Sequence, residues 1–136
     1  MKVYTEVMLS FTVPVIIVSV VLLIVRVVLA VAFFAEARFK FKDIKTFVRK
    51  DSVPLPIAYF VAIAELCAAL GMLSGVLSQW AGLGLVVLMV MTVCLHIFKW
   101  HSPYWASKGG WEYDLLMLTL AAVIAVFGAG QFVLFA

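Results

Sequence analysis

The sequence predicts an all-α integral membrane protein: an antiparallel bundle of four transmembrane helices, with a short amphipathic interfacial helix after the first span. Three observations predict it. Of 136 residues, 67% are hydrophobic and 12% charged, where a soluble domain is about half apolar and about a quarter charged. So few polar side chains cannot cover a soluble globule. Charged residues are absent between Glu6 and Arg26, between Glu65 and Lys99, and after Asp114. These runs are on the scale of the roughly 20 residues a helix needs to cross the hydrocarbon layer. Spanning strands would be about half that length with polar alternation, and the runs show none.

The chain reads as a single membrane domain, 1–136. Its first span runs from Leu9 to about Ala35, enough for one tilted helix. A cleaved secretory signal does not fit: such an apolar core is about 7–15 residues long, and this one is longer and carries Arg26 before the possible cut at Ala30–Ala32. A basic loop, 36–53, follows. Within it Phe41, Ile44, Phe47 and Val48 fall at helical spacing, with Lys42, Lys45 and Arg49 turned away. That predicts a short helix with its apolar side in the membrane and Lys42, Lys45 and Arg49 on lipid headgroups. The plainer alternative is a set of loop cations with no specific ligand.

Ser52 is expected to cap the second span, Pro54–Leu77, with Pro54 and Pro56 in its first turn. The third span, Ala81–Phe98, follows a turn at Ser78–Trp80, and the fourth is Leu115–Phe135. Between these two, Trp100, Tyr104, Trp105 and Trp111 are aromatics of the kind that sit at headgroup level. Arg38, Lys40, Lys42, Lys45, Arg49 and Lys50 in the first loop, with Lys99 and Lys108 in the second, face only Lys2 on the other side. Basic loops stay inside, so the N- and C-termini are expected outside. The net charge of +3 thus reflects loops on headgroups, not a nucleic-acid partner.

Arg26 and Glu65 are the charges expected within the membrane. Arg26 lies 9 residues before Ala35 and Glu65 11 after Pro54. Both are therefore about 14–17 Å from the cytoplasmic boundary. Intramembrane charges usually face the interior in pairs, so the two are expected to meet as an Arg–carboxylate pair. Such a pair could belong to a quinone pocket or proton path, or simply lock the register of two helices. Ala58, Ala62, Ala68, Ala69 and Gly75, then Gly82 and Gly84, then Ala121, Ala125 and Gly128, are small residues suited to close helix packing.

His96 and Glu112 match in depth near the inner interface, where a His–carboxylate contact could relay protons or serve structure. Haem would need a second His on a facing helix, and His101 lies in a loop. Cys67 and Cys94 differ in depth by roughly 14 Å, too far for a disulfide. The sequence carries no CxxC, no clustered metal-ligand spacing and no phosphate-binding glycine loop. The expectation is no redox centre or covalently bound cofactor on this chain; if it belongs to electron transfer, electrons must come from a partner.

The stretches Arg26–Ala35, Glu65–Gly75 and Gly109–Asp114, with the final Gly128–Gly130, resemble the DoxX family of small membrane proteins. The resemblance runs over roughly Val25 to Gln131. The family's usual basic residue at the end of helix one is approximated by Arg38 or Lys40, and the long apolar lead before Arg26 departs from the short members. The resemblance implies a four-helix bundle in a membrane oxidoreductase system, as in the small subunits of thiosulfate:quinone oxidoreductases, which pass electrons from sulfur compounds to quinone. The expected function is therefore a small polytopic subunit of a quinone-linked respiratory oxidoreductase, anchoring the complex or shaping a quinone or proton site, and not catalytic alone. Quinone is the candidate ligand, and other membrane subunits and lipid headgroups are the partners. Glu65 and Arg26 are the candidate proton site; His96, Glu112 and Tyr113 are the candidate quinone or proton relay. The alternatives are a purely structural accessory subunit of a larger oxidase and a small transporter.

Overall fold

The structure is a computed structural model describing residues 13–133. Lys2, the start of the first expected span (Leu9–Thr12) and the end of the fourth (Leu134 and Phe135) lie outside the described residues. Helix α1 is Val15–Lys42, α2 Ile44–Asp51, α3 Leu55–Ser74, α4 Ser78–Cys94 and α5 Glu112–Phe127. Helix α4 continues into a π-helical turn at Leu95–Lys99, and a 3₁₀ turn occupies Ala106–Lys108. No strand occurs among the described residues. Among the described residues, three helical stretches are long and apolar enough to cross a membrane: Val15–Lys42, Leu55–Ser74 and Ser78–Lys99.

Several boundaries differ from the sequence expectation, each for a local reason. Helix α1 does not stop near Ala35. Residues 36–42 are rich in Glu, Ala, Arg and Lys, all good helix formers, and nothing breaks the helix before Asp43. It therefore runs 28 residues, about 42 Å, and carries Glu36, Arg38, Lys40 and Lys42 on a helix, not in a loop. Phe41 falls in its last turn and is exposed, leaving Ile44, Phe47 and Val48 as the half-buried side of α2, with Lys45, Arg49 and Lys50 exposed. Asp43 starts α2: its Oδ1 accepts from the Thr46 amide at 3.2 Å and its Oδ2 from the Thr46 hydroxyl at 2.6 Å. Those hydrogen bonds favour the ionised form and hold the Asp43 carboxyl below its ordinary range.

Ser52 closes α2 in a left-handed conformation (φ 54°) and does not cap α3, whose N-cap is Pro54 with Pro56 in the first turn. Gly75 (φ 82°) ends α3, the left-handed stop that glycine adopts without a Cβ penalty. The turn into α4 is thus Gly75–Leu77, and Ser78–Trp80 form the first turn of α4. Helix α5 begins at Glu112 and ends at Phe127, after which Gly128 and Gly130 (φ 79° and 74°) redirect the chain. A continuous fourth helix to Phe135 is therefore not formed. The 16 residues of α5 rise about 24 Å.

Helix α1 packs on α3 and α4 on α5, with α3–α4 and α1–α5 contacts completing the circuit. The buried face of α1 is Ser19, Leu22, Arg26, Leu29, Ala30, Phe33, Ala37 and Lys40, a stripe at helical spacing. Its partner face on α3 is Ala58, Ala62, Glu65, Ala69 and Met72, mostly small, as close packing needs. A Cβ on Gly82 would lie 2.8 Å from the Ala125 amide nitrogen and 3.0 Å from the Ala121 carbonyl, so the α4 and α5 backbones touch there. Outward faces are apolar, with Val31, Phe60, Trp80, Phe98 and Val126 all exposed. Such continuous apolar exposure fits lipid and not water.

Candidate functional site

Arg26 is 1% exposed and makes no carboxylate contact among the described residues. Its Nε donates to the Met72 carbonyl at 2.8 Å, its Nη2 to Leu73 at 3.2 Å, and its Nη1 to Ala129 at 3.1 Å and to Phe132. Met72 and Leu73 are in the last turn of α3, where carbonyls lack intrahelical partners; Ala129 and Phe132 lie just beyond α5. The C-terminus of α3 carries roughly half a negative charge, and the Ala129 and Phe132 carbonyls add further acceptors for the guanidinium. A Cβ on Gly75 would stand 2.6 Å from Nη2; only glycine leaves room for this cap. Beside it, the Ser19 hydroxyl accepts from the Gln131 amide at 3.2 Å.

The expected Arg26–Glu65 pair is therefore not formed. Arg26 reaches the end of α3 while Lys40, farther along α1, reaches Glu65, so α1 and α3 run antiparallel. Side chains on a helix lean toward its N-terminus. In this antiparallel pair Arg26 and Glu65 lean apart, whereas Lys40 and Glu65 lean together. Glu65 is 7 residues from Met72 along α3, a rise of about 10 Å.

Glu65 pairs with Lys40 instead. The Lys40 ammonium is 2.9 Å from both Glu65 carboxylate oxygens and 3.4 Å from Glu36. Lys40 is 8% exposed and Glu65 3%, so this is a buried ion pair between two apolar helices. The same ammonium stands 5.2 Å from the Phe47 ring centroid, a cation–π distance that ties α2 to the pair.

A second couple comes from α4 and α5. His96 Nε2 is 3.1 Å from Asp114 Oδ2, and His96 Nδ1 is 3.0 Å from the Ser102 hydroxyl. A hydroxyl can donate or accept, so the imidazole stays bonded on both nitrogens whether neutral or protonated. The π turn carrying His96 is closed by the Trp100 amide donating to the Leu95 carbonyl at 2.9 Å. It sets the Trp100 ring edge-on to His96, centroids 4.7 Å apart. Such widened turns occur often at functional positions.

Both couples face one cavity of about 480 Å³. All five helices contribute: Phe33, Glu36 and Lys40 from α1, Phe47 and Asp51 from α2, Glu65 from α3, Leu88 and Met89 from α4, and Tyr113, Asp114 and Met117 from α5, with His96 and Trp100 beside α4. The Trp100 indole N–H is buried and unpartnered among the described residues, a donor that an acceptor in the cavity would satisfy. At the α2 edge, burial pushes the Asp51 carboxyl above its ordinary range, opposed by Lys50 and Lys40. No group of three or more His, Cys, Asp or Glu side chains suited to a metal ion occurs among the described residues.

Of the residues singled out from sequence, Glu65, His96 and Tyr113 line the cavity and Arg26 does not. Glu112 is not part of it either. Its carboxylate accepts from the Ala106 amide at 3.2 Å, and His96 pairs with Asp114. Two residues along a helix is about 200° of rotation, so Glu112 faces the loop when Asp114 faces α4. Lys42, Lys45 and Arg49 are exposed. Among the cavity residues that sequence reasoning missed are Lys40, Asp114, Asp51 and Trp100. Lys40 carried a signal: it lies 7 residues after Phe33 and 14 after Arg26, on the same stripe once the helix is allowed to continue. The chain matches the DoxX family model over residues 21–100, which includes Arg26, Lys40, Glu65 and His96 and ends before Asp114. No curated protein and no solved structure matches it.

Proposed function

The chain belongs to the DoxX family, generally small membrane proteins, and from that premise we propose that it is a subunit of a quinone-linked membrane oxidoreductase whose Lys40–Glu65 cavity receives a quinone headgroup and its protons. The observation that carries the reading is the cavity's mixed lining. Tyr113 and the unpartnered Trp100 N–H are donors for carbonyl oxygens, while Phe33, Leu88, Met89 and Met117 provide apolar walls. A bound quinone would supply two-electron chemistry coupled to uptake of two protons.

The chain's own part is to orient and to move protons. Lys40 holds Glu65 in place through both carboxylate oxygens. Of the carboxyl groups on the cavity wall, which also include Glu36 and Asp51, Glu65 and Asp114 are the two that take a proton from the headgroup or give one to it. His96, bonded to Asp114 and Ser102, carries protons between the cavity and the loop. Arg26 acts elsewhere, closing the far end of the helices. Electrons come from a partner subunit.

In the membrane we place α5 as the fourth span of an antiparallel bundle, with α2 lying at the interface. Its 16 residues fall short of a hydrocarbon layer of about 30 Å, and the segment beyond Gly128, held by Arg26, completes the crossing. The excess of Lys and Arg at the α2 end puts that end in the cytoplasm and both termini outside. In a background with Cys67 and Cys94 replaced, Lys45→Cys should react with an impermeant thiol reagent only in opened cells, and Leu77→Cys in intact ones. The reverse pattern overturns the orientation.

The functional test is Lys40→Met with Glu65→Met, measured as quinone-dependent turnover per assembled complex. Replacing both members of a buried pair by apolar residues is often tolerated by the fold, so assembly should persist while turnover falls. Undiminished turnover in an assembled complex would make the pair a packing device and the chain a structural accessory subunit.

A further inference from the structure

A second concavity lies on another face of α1, about 620 Å³ in volume, between α1 and α3. It shares only Phe39 with the Lys40 cavity. Its floor is small and closed: Ala30 is 5% and Ala69 3% exposed. Phe34, Leu70 and Leu73 rise as exposed walls. At one end Arg38 and Lys42 line it, both exposed, and neither is in an ion pair among the described residues.

We propose that this groove is a binding site for an anionic phospholipid, with an acyl chain over Ala30 and Ala69 and the phosphate held by Arg38 and Lys42. The charges carry the choice of ligand. Like charges four residues apart on a helix repel, and Arg38 and Lys42 have that spacing, so the pair calls for an anion that the described residues do not provide. A zwitterionic headgroup brings its own cation and answers this less well. The cytoplasmic leaflet is the one rich in anionic lipid, and the basic end of the chain faces it. The length fits as well. From Ala30 to Lys42 is 12 residues, about 18 Å, comparable with the roughly 15 Å of one leaflet's hydrocarbon. The site requires the chain to lie in a bilayer with its basic end at the headgroups; it does not require a quinone in the Lys40 cavity.

The test is native mass spectrometry of the full chain in mild detergent, titrated with phosphatidylglycerol or with phosphatidylcholine of the same acyl chains. The wild type should retain one phosphatidylglycerol in preference to phosphatidylcholine. Arg38→Gln with Lys42→Gln should weaken phosphatidylglycerol about 30-fold. Lys45→Gln with Arg49→Gln, on the exposed side of α2, should change it by no more than about threefold. Ala35→Trp fills the exposed middle of the groove while keeping both cations, and should also abolish retention. Equal losses from the two charge-removing pairs would mean diffuse surface attraction. Undiminished retention by Ala35→Trp would mean that no acyl chain is seated, and equal retention of both lipids would mean that the phosphate is not recognised. Each of these three results overturns the site. Quinone turnover of the Arg38→Gln, Lys42→Gln protein should stay at the wild-type level, so failure here and failure at the Lys40 cavity are read separately.

Discussion

Removing the Lys40 ammonium tests the centre of the arrangement. In Lys40→Met the Glu65 carboxylate, 3% exposed, loses its ion-pair partner and keeps its place between α1 and α3. Stranding one member of a buried pair costs about 3–5 kcal/mol. An independent ceiling comes from neutralising an ordinary carboxyl at pH 7, about 4 kcal/mol, which the side chain can always do instead of staying charged. The two figures agree, so the expected loss is about 3–4 kcal/mol. Glu65→Met should cost a similar amount by stranding Lys40, although its ammonium retains Glu36 at 3.4 Å. The double replacement should recover most of either loss, giving a coupling energy of at least about 2 kcal/mol. Reversible unfolding in mixed micelles, run for all four proteins of the cycle, measures this. Additive losses, or a Lys40→Met penalty below about 1 kcal/mol, the level of an exposed pair, would refute a dry ion pair at this place.

Other perturbations address the rest of the fold. Gly75→Ala forces a Cβ into the Arg26 guanidinium at 2.6 Å and strains a residue at φ 82°; it should cost about 1–2 kcal/mol from the backbone alone, read as a lower thermal midpoint. Arg26→Lys keeps the charge but not the planar fork that reaches carbonyls of two helix ends, so its midpoint should lie closer to that of Arg26→Met than to the wild type. Gly82→Ala presses on the α5 backbone at 2.8 Å and should cost about 1–3 kcal/mol, whereas Gly84→Ala, which meets nothing within 4 Å, should gain up to about 1 kcal/mol of helix propensity. Burial raises the Asp51 carboxyl in the folded state, so the folded chain binds that proton more tightly than the unfolded one. Stability should therefore rise as pH falls through the interval between the raised and ordinary values, and Asp51→Asn should flatten that slope.

That the chain is helical, apolar on its outer faces and related to DoxX proteins was legible from the residues, because hydropathy runs, charge placement and small-residue spacing are local properties of the chain. The stripe of Ala58, Ala62 and Ala69 could be read as a packing face before any coordinates, and so could the glycine contact at Gly82. Which polar groups meet was settled by long-range packing. That depended on α1 continuing to Lys42, on the register of α1 against α3, and on the N-terminal lean of side chains in antiparallel helices. Together these carry Arg26 to two helix ends and bring Lys40 to Glu65. The exchange of Glu112 for Asp114 at His96 has the same origin: partners two residues apart differ by half a turn, and long-range packing of α4 on α5 selects the one that faces inward.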